Sequence, residues 1–484
     1  MISTTRWLGW AGAAALLGSA APAAARVPFS AAPPQNPIQA KYMDFVDEAG
    51  GLACKVKGKL AELQGAPNDC YLDLDECKPS REAVGGTLDP GLAELFADLL
   101  VIAPGDAFGF AYACPGGDDG PQYLEGLAMQ GLGYAKADQY LDRLLTLASA
   151  ETLTKFTGAN NRDHLVHALL NMGPKHKDAV VPALANLVKA DAKTLHFKEV
   201  ALEGLARYES DAAVDYCLEQ LKTGESKSLH PACVAYLGER RAKAAVPVLL
   251  GAYEKEREAV ARALGLIGDA AAVAALEERV ADQGARVTVP EVVALVNLGK
   301  GKVYMPRLLL LLEGKTPLSE KDEAKKKEDI AKAKKPAQKK KAQEKWAEKE
   351  GRVDDQLARA AAIEAAWLTG AADVKAATAV LQKQAKISDP KLWKMWVHAN
   401  LALAMRGDKA AIGKVAKLIG DPKEDIRKEV IQAIGASYDM PGATARGVAD
   451  AAFLAPLLAA IDATPDKQLR QRALHAAAVV RSFD

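Results

Sequence analysis

Residues that could do chemistry are few in this chain. Asp163 and His164 adjoin, His167 follows one helical turn later, and His176 falls in the next apolar stretch. Two histidines at i and i+3 can share a metal ion. The same spacing suits one exposed ring and one ring packed against a neighbour. No metal is therefore expected, His164 and His167 being the nearest approach to a site. His196 and His230 stand alone. Asp69, Asp73, Asp75 and Glu76 crowd one loop without the ligand spacing of an EF-hand. The chain holds no His-Glu-x-x-His, no Gly-x-Ser-x-Gly turn and no Gly-rich phosphate loop between strand and helix. No catalytic or cofactor-binding residue is assigned, and neither an enzyme nor a cofactor is expected.

The cysteines divide by position. Cys54, Cys70, Cys77 and Cys114 crowd one segment and contain no Cys-x-x-Cys pair, so two disulfides are expected rather than zinc, with the pairing left open. Cys217 lies in a stripe with Val214, Leu218 and Leu221, and Cys233 in one with Leu229, Tyr236 and Leu237. Both are expected as buried thiols, a disulfide between neighbouring repeats being the alternative. Residues 1–25 read as a secretory signal peptide: Arg6, an apolar run from Trp7 to Gly18, and small residues Ala23 to Ala25 before Arg26. Export to the periplasm or beyond suits the disulfides. No later stretch is long and apolar enough to span a bilayer.

One stretch carries concentrated charge. Residues 313–352 form a lysine-rich insertion whose large apolar residues are Leu318, Ile330 and Trp346. Lys332, Lys334, Lys335, Lys339, Lys340 and Lys341 follow one another with no acid between them. Such a run could hold an anionic envelope polymer. The simpler expectation is a projecting, solvated arm, partly helical and broken at Pro336. Nucleic acid is not expected, because the run has no interleaved aromatics apart from Trp346. The net charge of +1 on the whole chain argues against a general polyanion binder.

The elements that must position these residues are helices. Residues 257–282 set the pattern. Val260, Ala263, Leu264 and Ile267 form one apolar stripe, Gly268 and Asp269 make a turn, and Val273, Leu276 and Val280 form a second stripe. One such hairpin leaves too much surface wet to be stable alone, so it requires neighbours. The chain supplies them. An apolar–Pro–x–Leu motif recurs at Val181, Val246, Met305 and Ala455, with Val214 and Val273 filling the slot without proline. The proline is expected in the first turn of each second helix. First helices end at Leu237-Gly238, Ile267-Gly268 and Leu298-Gly299.

The segment Ala263 to Leu276, ALGLIGDAAAVAAL, resembles the HEAT-like repeat of the phycobilisome-lyase type. Its neighbours over about 160–313 and 355–484 resemble divergent HEAT repeats. The resemblance implies an armadillo-type α-solenoid whose second helices line a concave face used to bind partners. It implies no catalytic residues here. The expected architecture is all-α: a signal peptide (1–25), a disulfide-bonded N-terminal region (26–120), a HEAT-like solenoid (121–312), the lysine-rich insertion (313–352) and a C-terminal HEAT-like solenoid (353–484). The expected function is that of an exported scaffold or adaptor binding a protein partner on the concave face. The alternatives are a binder of envelope polyanions and a non-catalytic subunit of an enzyme.

Overall fold

Arg257–Ile267 and Ala271–Gln283 are two helices joined by a tight turn in the computed structural model. Gly268 takes a left-handed conformation (φ 70°), and its N–H donates to the Leu264 carbonyl. Asp269 then accepts from the Ala271 N–H at 2.9 Å. Val260, Ala263, Leu264, Ile267, Leu276 and Val280 are buried. The local pattern thus produces the hairpin it predicts.

The structure describes residues 41, 85–100, 120–149, 159–190, 196–223, 229–283, 288–315, 320–333, 335–350, 355–386, 392–435, 451–464 and 466–482. The signal-peptide segment, Cys54, Cys70, Cys77, Cys114, the acidic loop around Asp73 and Lys334 lie outside them. Every regular element among the described residues is helical, and none is long and apolar enough to cross a membrane.

The chain divides into two units, residues 1–135 and 136–484. In the first, α1 (Pro90–Leu99) packs on α2 (Gly120–Ala135). Asp89 opens α1 by accepting from the Gly91 N–H at 2.8 Å. Lys41 bonds Glu94 at 2.9 Å and Asp98 at 3.3 Å. Because α2 belongs with α1, the division comes one helix later than the expected boundary at 120.

The second unit opens with α3 (Leu141–Leu147) and continues as hairpins. These are α4 (Ala159–Asn171) with α5 (Lys177–Lys189), α6 (His196–Arg207) with α7 (Val214–Thr223), α8 (His230–Glu239) with α9 (Val246–Ala252), α10 (Arg257–Ile267) with α11 (Ala271–Gln283), and α12 (Val289–Leu295) with α13 (Gly301–Leu312). The insertion forms α14 (Glu320–Lys332) and α15 (Pro336–Glu350). Then come α16 (Asp355–Ala365) with α17 (Ala371–Gln384), α18 (Trp393–Met405) with α19 (Lys409–Ile419), and the helices α20 (Glu424–Gly435), α21 (Leu454–Ala463) and α22 (Lys467–Ser482).

First helices pack in succession, α4 on α6, α6 on α8, α8 on α10, α10 on α12, α12 on α16, and onward through α18 and α20 to α22. The last helix, α22, packs back on α4, so the series of first helices closes on itself. They form the inner layer: all of α12 is buried, and so is α18 from Val397 to Ala404. Second helices keep one face exposed, as Ala271, Ala274 and Glu278 do on α11. Small residues set the spacing of the inner layer. A Cβ on Gly238 would lie 2.7 Å from the Ala263 Cα, and one on Gly265 would lie 2.7 Å from the Ala294 Cα.

Three details depart from the sequence pattern. Gly238 serves this packing inside α8 and does not cap it; the left-handed residue of that hairpin is Arg241 (φ 50°). Pro182 and Pro306 lie inside α5 and α13, not in a first turn. Both are exposed, so water can serve the carbonyl a proline ring leaves unpaired. The insertion is a helical hairpin, with Pro336 opening its second helix.

Gly265→Val should lower stability by about 1–3 kcal/mol in urea unfolding, since backbone must move to admit the side chain. Gly413, in α19, has nothing within 4 Å. Gly413→Ala should raise stability by about 1 kcal/mol. Equal effects at both positions would contradict the close-approach account.

Candidate functional site: the inner face and its cavity

Three of the first helices carry half-buried residues at spacings of four. On α6 these are Glu199 and Glu203, on α10 Glu258, Arg262 and Leu266, and on α16 Arg359 and Ile363. These spacings of four residues place each set on one face. Packing of the first helices brings α10 and α16 together, which no local pattern does.

Arg262 and Glu364 meet across 102 residues of sequence. Two guanidinium nitrogens of Arg262 donate to the two carboxylate oxygens of Glu364, the Nε bond measuring 3.2 Å. The Arg262 guanidinium also lies 6.0 Å from the centre of the Trp367 ring. Burial pushes the Glu258 carboxyl above its ordinary value, although the nearby Arg262 opposes the rise. Neighbouring charges are likewise met. Glu291, fully buried, accepts from Arg257 Nη2 at 2.8 Å, from the Thr288 N–H at 2.7 Å and from the Tyr253 hydroxyl. Glu429 accepts from His398 Nε2 at 2.8 Å and lies 3.2 Å from Arg359 Nη2. The hydrogen bond from His398 is the main cause holding Glu429 below its ordinary 4.5; burial opposes it and Arg359 adds to it.

At one end of this face the C-terminal ends of α6, α8, α10 and α16 enclose a cavity of about 400 Å³. Its wall includes Ala206, Glu239, Leu266, Ala366 and Trp367. The turn after α16 is held from two sides. Asn297 Nδ2 donates to the Trp367 carbonyl at 2.8 Å, and the Thr369 N–H donates to Asn297 Oδ1 at 2.9 Å. Arg406 Nη2 donates to the carbonyls of Ala365 and Leu368. Glu209 and Arg241 stand at the rim. Both are left-handed, at φ 53° and 50°, a conformation that costs a side-chain-bearing residue about 1–2 kcal/mol. Gly173, Gly268, Gly299 and Gly407 fill the corresponding turns of other hairpins. The rim thus keeps charged side chains where glycine is the unstrained choice, as Lys136 (φ 50°) does away from the cavity. Arg240 beside them is held by Asp211 at 2.7 Å. The described lining offers carboxylates, guanidiniums and an indole, a set suited to recognising a polar segment with an apolar anchor.

The residues singled out from sequence fall elsewhere. His164 and His167 are half-buried on α4, and no group of three or more His, Cys, Asp or Glu among the described residues could hold a metal. His176 bonds Asp138 at 2.8 Å instead of joining them. Cys217 and Cys233 are buried free thiols. Burial pushes the Cys217 thiol well above its ordinary value, and its hydrogen bond with Cys233 adds to that. Of the lysine run, Lys332, Lys335, Lys339, Lys340 and Lys341 are all exposed. The Thr288-x-x-Glu291 pattern marks a helix start in sequence, and Glu291 could have been found from it. Arg262 and Glu364 carry no such signal.

No family model matches the chain, and no curated protein matches it. Among solved structures it is similar to a crystal structure of an engineered protein from a structural genomics consortium, at 16% identity and a TM-score of 0.25, over 84% of this chain and 100% of the other.

Glu364→Ala should cost about 2–3 kcal/mol by leaving Arg262 uncompensated, and the double change Arg262→Met with Glu364→Leu should recover most of it in urea unfolding. Glu429 supplies a pH signature. Its folded value lies below 4.5, so its contribution is present above that pH and is lost as pH falls through the lower folded value. Glu429→Gln should therefore destabilise at pH 6 and lose that effect progressively as pH falls below 4.5.

Proposed function

We propose that this chain is an exported HEAT-like α-solenoid scaffold that binds a protein partner along its inner face. The cavity between α6, α8, α10 and α16 would seat the partner's anchoring side chain. One observation carries this proposal: four hairpins, one of them about a hundred residues distant in sequence, combine to make a walled cavity with charged side chains in left-handed backbone at its rim. Stacked hairpins suit recognition, because adjoining repeats present one continuous surface. The family resemblance puts second helices on the concave face; in the present reading the first helices would take that place, supported by the close Gly–Ala approaches between them. The signal-like segment at 1–25 supports export.

The test keeps the fold and removes the rim. Glu209→Gly with Arg241→Gly relieves both left-handed residues, so thermal stability should stay equal or rise. The partner recovered by cross-linked co-purification of the tagged protein should survive high salt with the wild type and fall about tenfold with the double variant. Retention by both proteins would place recognition elsewhere. N-terminal sequencing of the exported protein should read from Arg26.

A further inference from the structure

The insertion separates its charges along its length. Its two helices pack chiefly on each other. Asp329 sets their register: its Oδ2 accepts from Lys345 Nζ at 3.2 Å and from Trp346 Nε1 at 3.1 Å. Residue 329 therefore lies beside 345 and 346, the helices run antiparallel, and the turn at Pro336 is the tip. From Ile330 to Gln343 the tip carries six lysines and no acid; the rest of 320–350 carries six lysines against eight acids. The described tip lysines are exposed. Lys332 is paired with Glu328, and Lys340 lies 3.9 Å from Glu344. Lys335, Lys339 and Lys341 remain to face outward.

We infer that this tip docks on an anionic phospholipid surface. Lysine is a compact, strongly hydrated point charge, suited to a field of phosphates rather than to bidentate reading, and 313–351 contains no arginine. Trp346, the insertion's one aromatic residue, is 2% exposed and its ring lies under Lys345. No ring is left at the surface on which a nucleic-acid base could stack. The lysines also occupy one end of the hairpin and not a groove, so they meet a plane of headgroups but offer no track for a polymer strand. The attraction is electrostatic and falls with ionic strength.

The experiment is vesicle sedimentation with the full chain and with Lys335→Gln, Lys339→Gln and Lys341→Gln combined. Both proteins carry every other segment, so binding through any of those is common to both. Vesicles of phosphatidylcholine with one-third phosphatidylglycerol are compared with phosphatidylcholine alone, at low and high salt. The wild type should prefer the anionic vesicles, and the triple variant should bind them about a hundredfold more weakly, at roughly fivefold per lysine. Circular dichroism should show the same helix content in both. Equal binding by both proteins, or no preference for anionic vesicles, overturns the inference. So does tighter binding of the same lysines to a single-stranded oligothymidine than to the vesicles.

Discussion

The close approach of the first helices governs the second unit. Gly238 against Ala263 and Gly265 against Ala294 bring helix backbones nearer than any larger side chain would permit. Leucines and valines fill the space around these contacts, with Val260, Leu264, Val292 and Leu295 buried. The second helices pack more on the adjoining first helices than on one another. A layer that is shorter on one side must curve toward that side. Curvature carries the series round until α22 rests on α4.

That curvature also explains the charges. An inner helix has apolar neighbours on most of its circumference and a half-buried strip on the remainder. Charged side chains on that strip are near one another and partly out of water, where an unpaired charge is costly. The pairs Arg262–Glu364, Arg257–Glu291 and Arg359–Glu429 satisfy this demand. They connect separate hairpins, so they also specify which hairpins face each other. Their contribution lies as much in that specification as in net stability.

The cavity follows from the same geometry. Helix ends that converge on a curved face leave a hollow where no side chain reaches the centre. Asn297 and Arg406 hold its far wall through backbone carbonyls. At its rim the left-handed Glu209 and Arg241 close the last turns of α6 and α8 through backbone hydrogen bonds. The lysine tip stands apart from it, on a hairpin whose register depends on one carboxylate and one indole.

The sequence by itself determined the helices. Apolar stripes at Val260, Leu264 and Ile267, the Gly268–Asp269 turn and the recurring second-helix motif are local signals, and local hydrogen bonding and burial answer to them directly. It also located the lysine run and the buried thiols, because composition and period suffice for both. The tertiary structure alone decided that α22 meets α4, that Arg262 meets Glu364, and that four helix ends enclose a cavity. Each depends on a small angle between neighbouring hairpins, set by how closely two backbones approach and summed over the whole series. No window of sequence contains that sum, so the helices were legible residue by residue while the site they create was not.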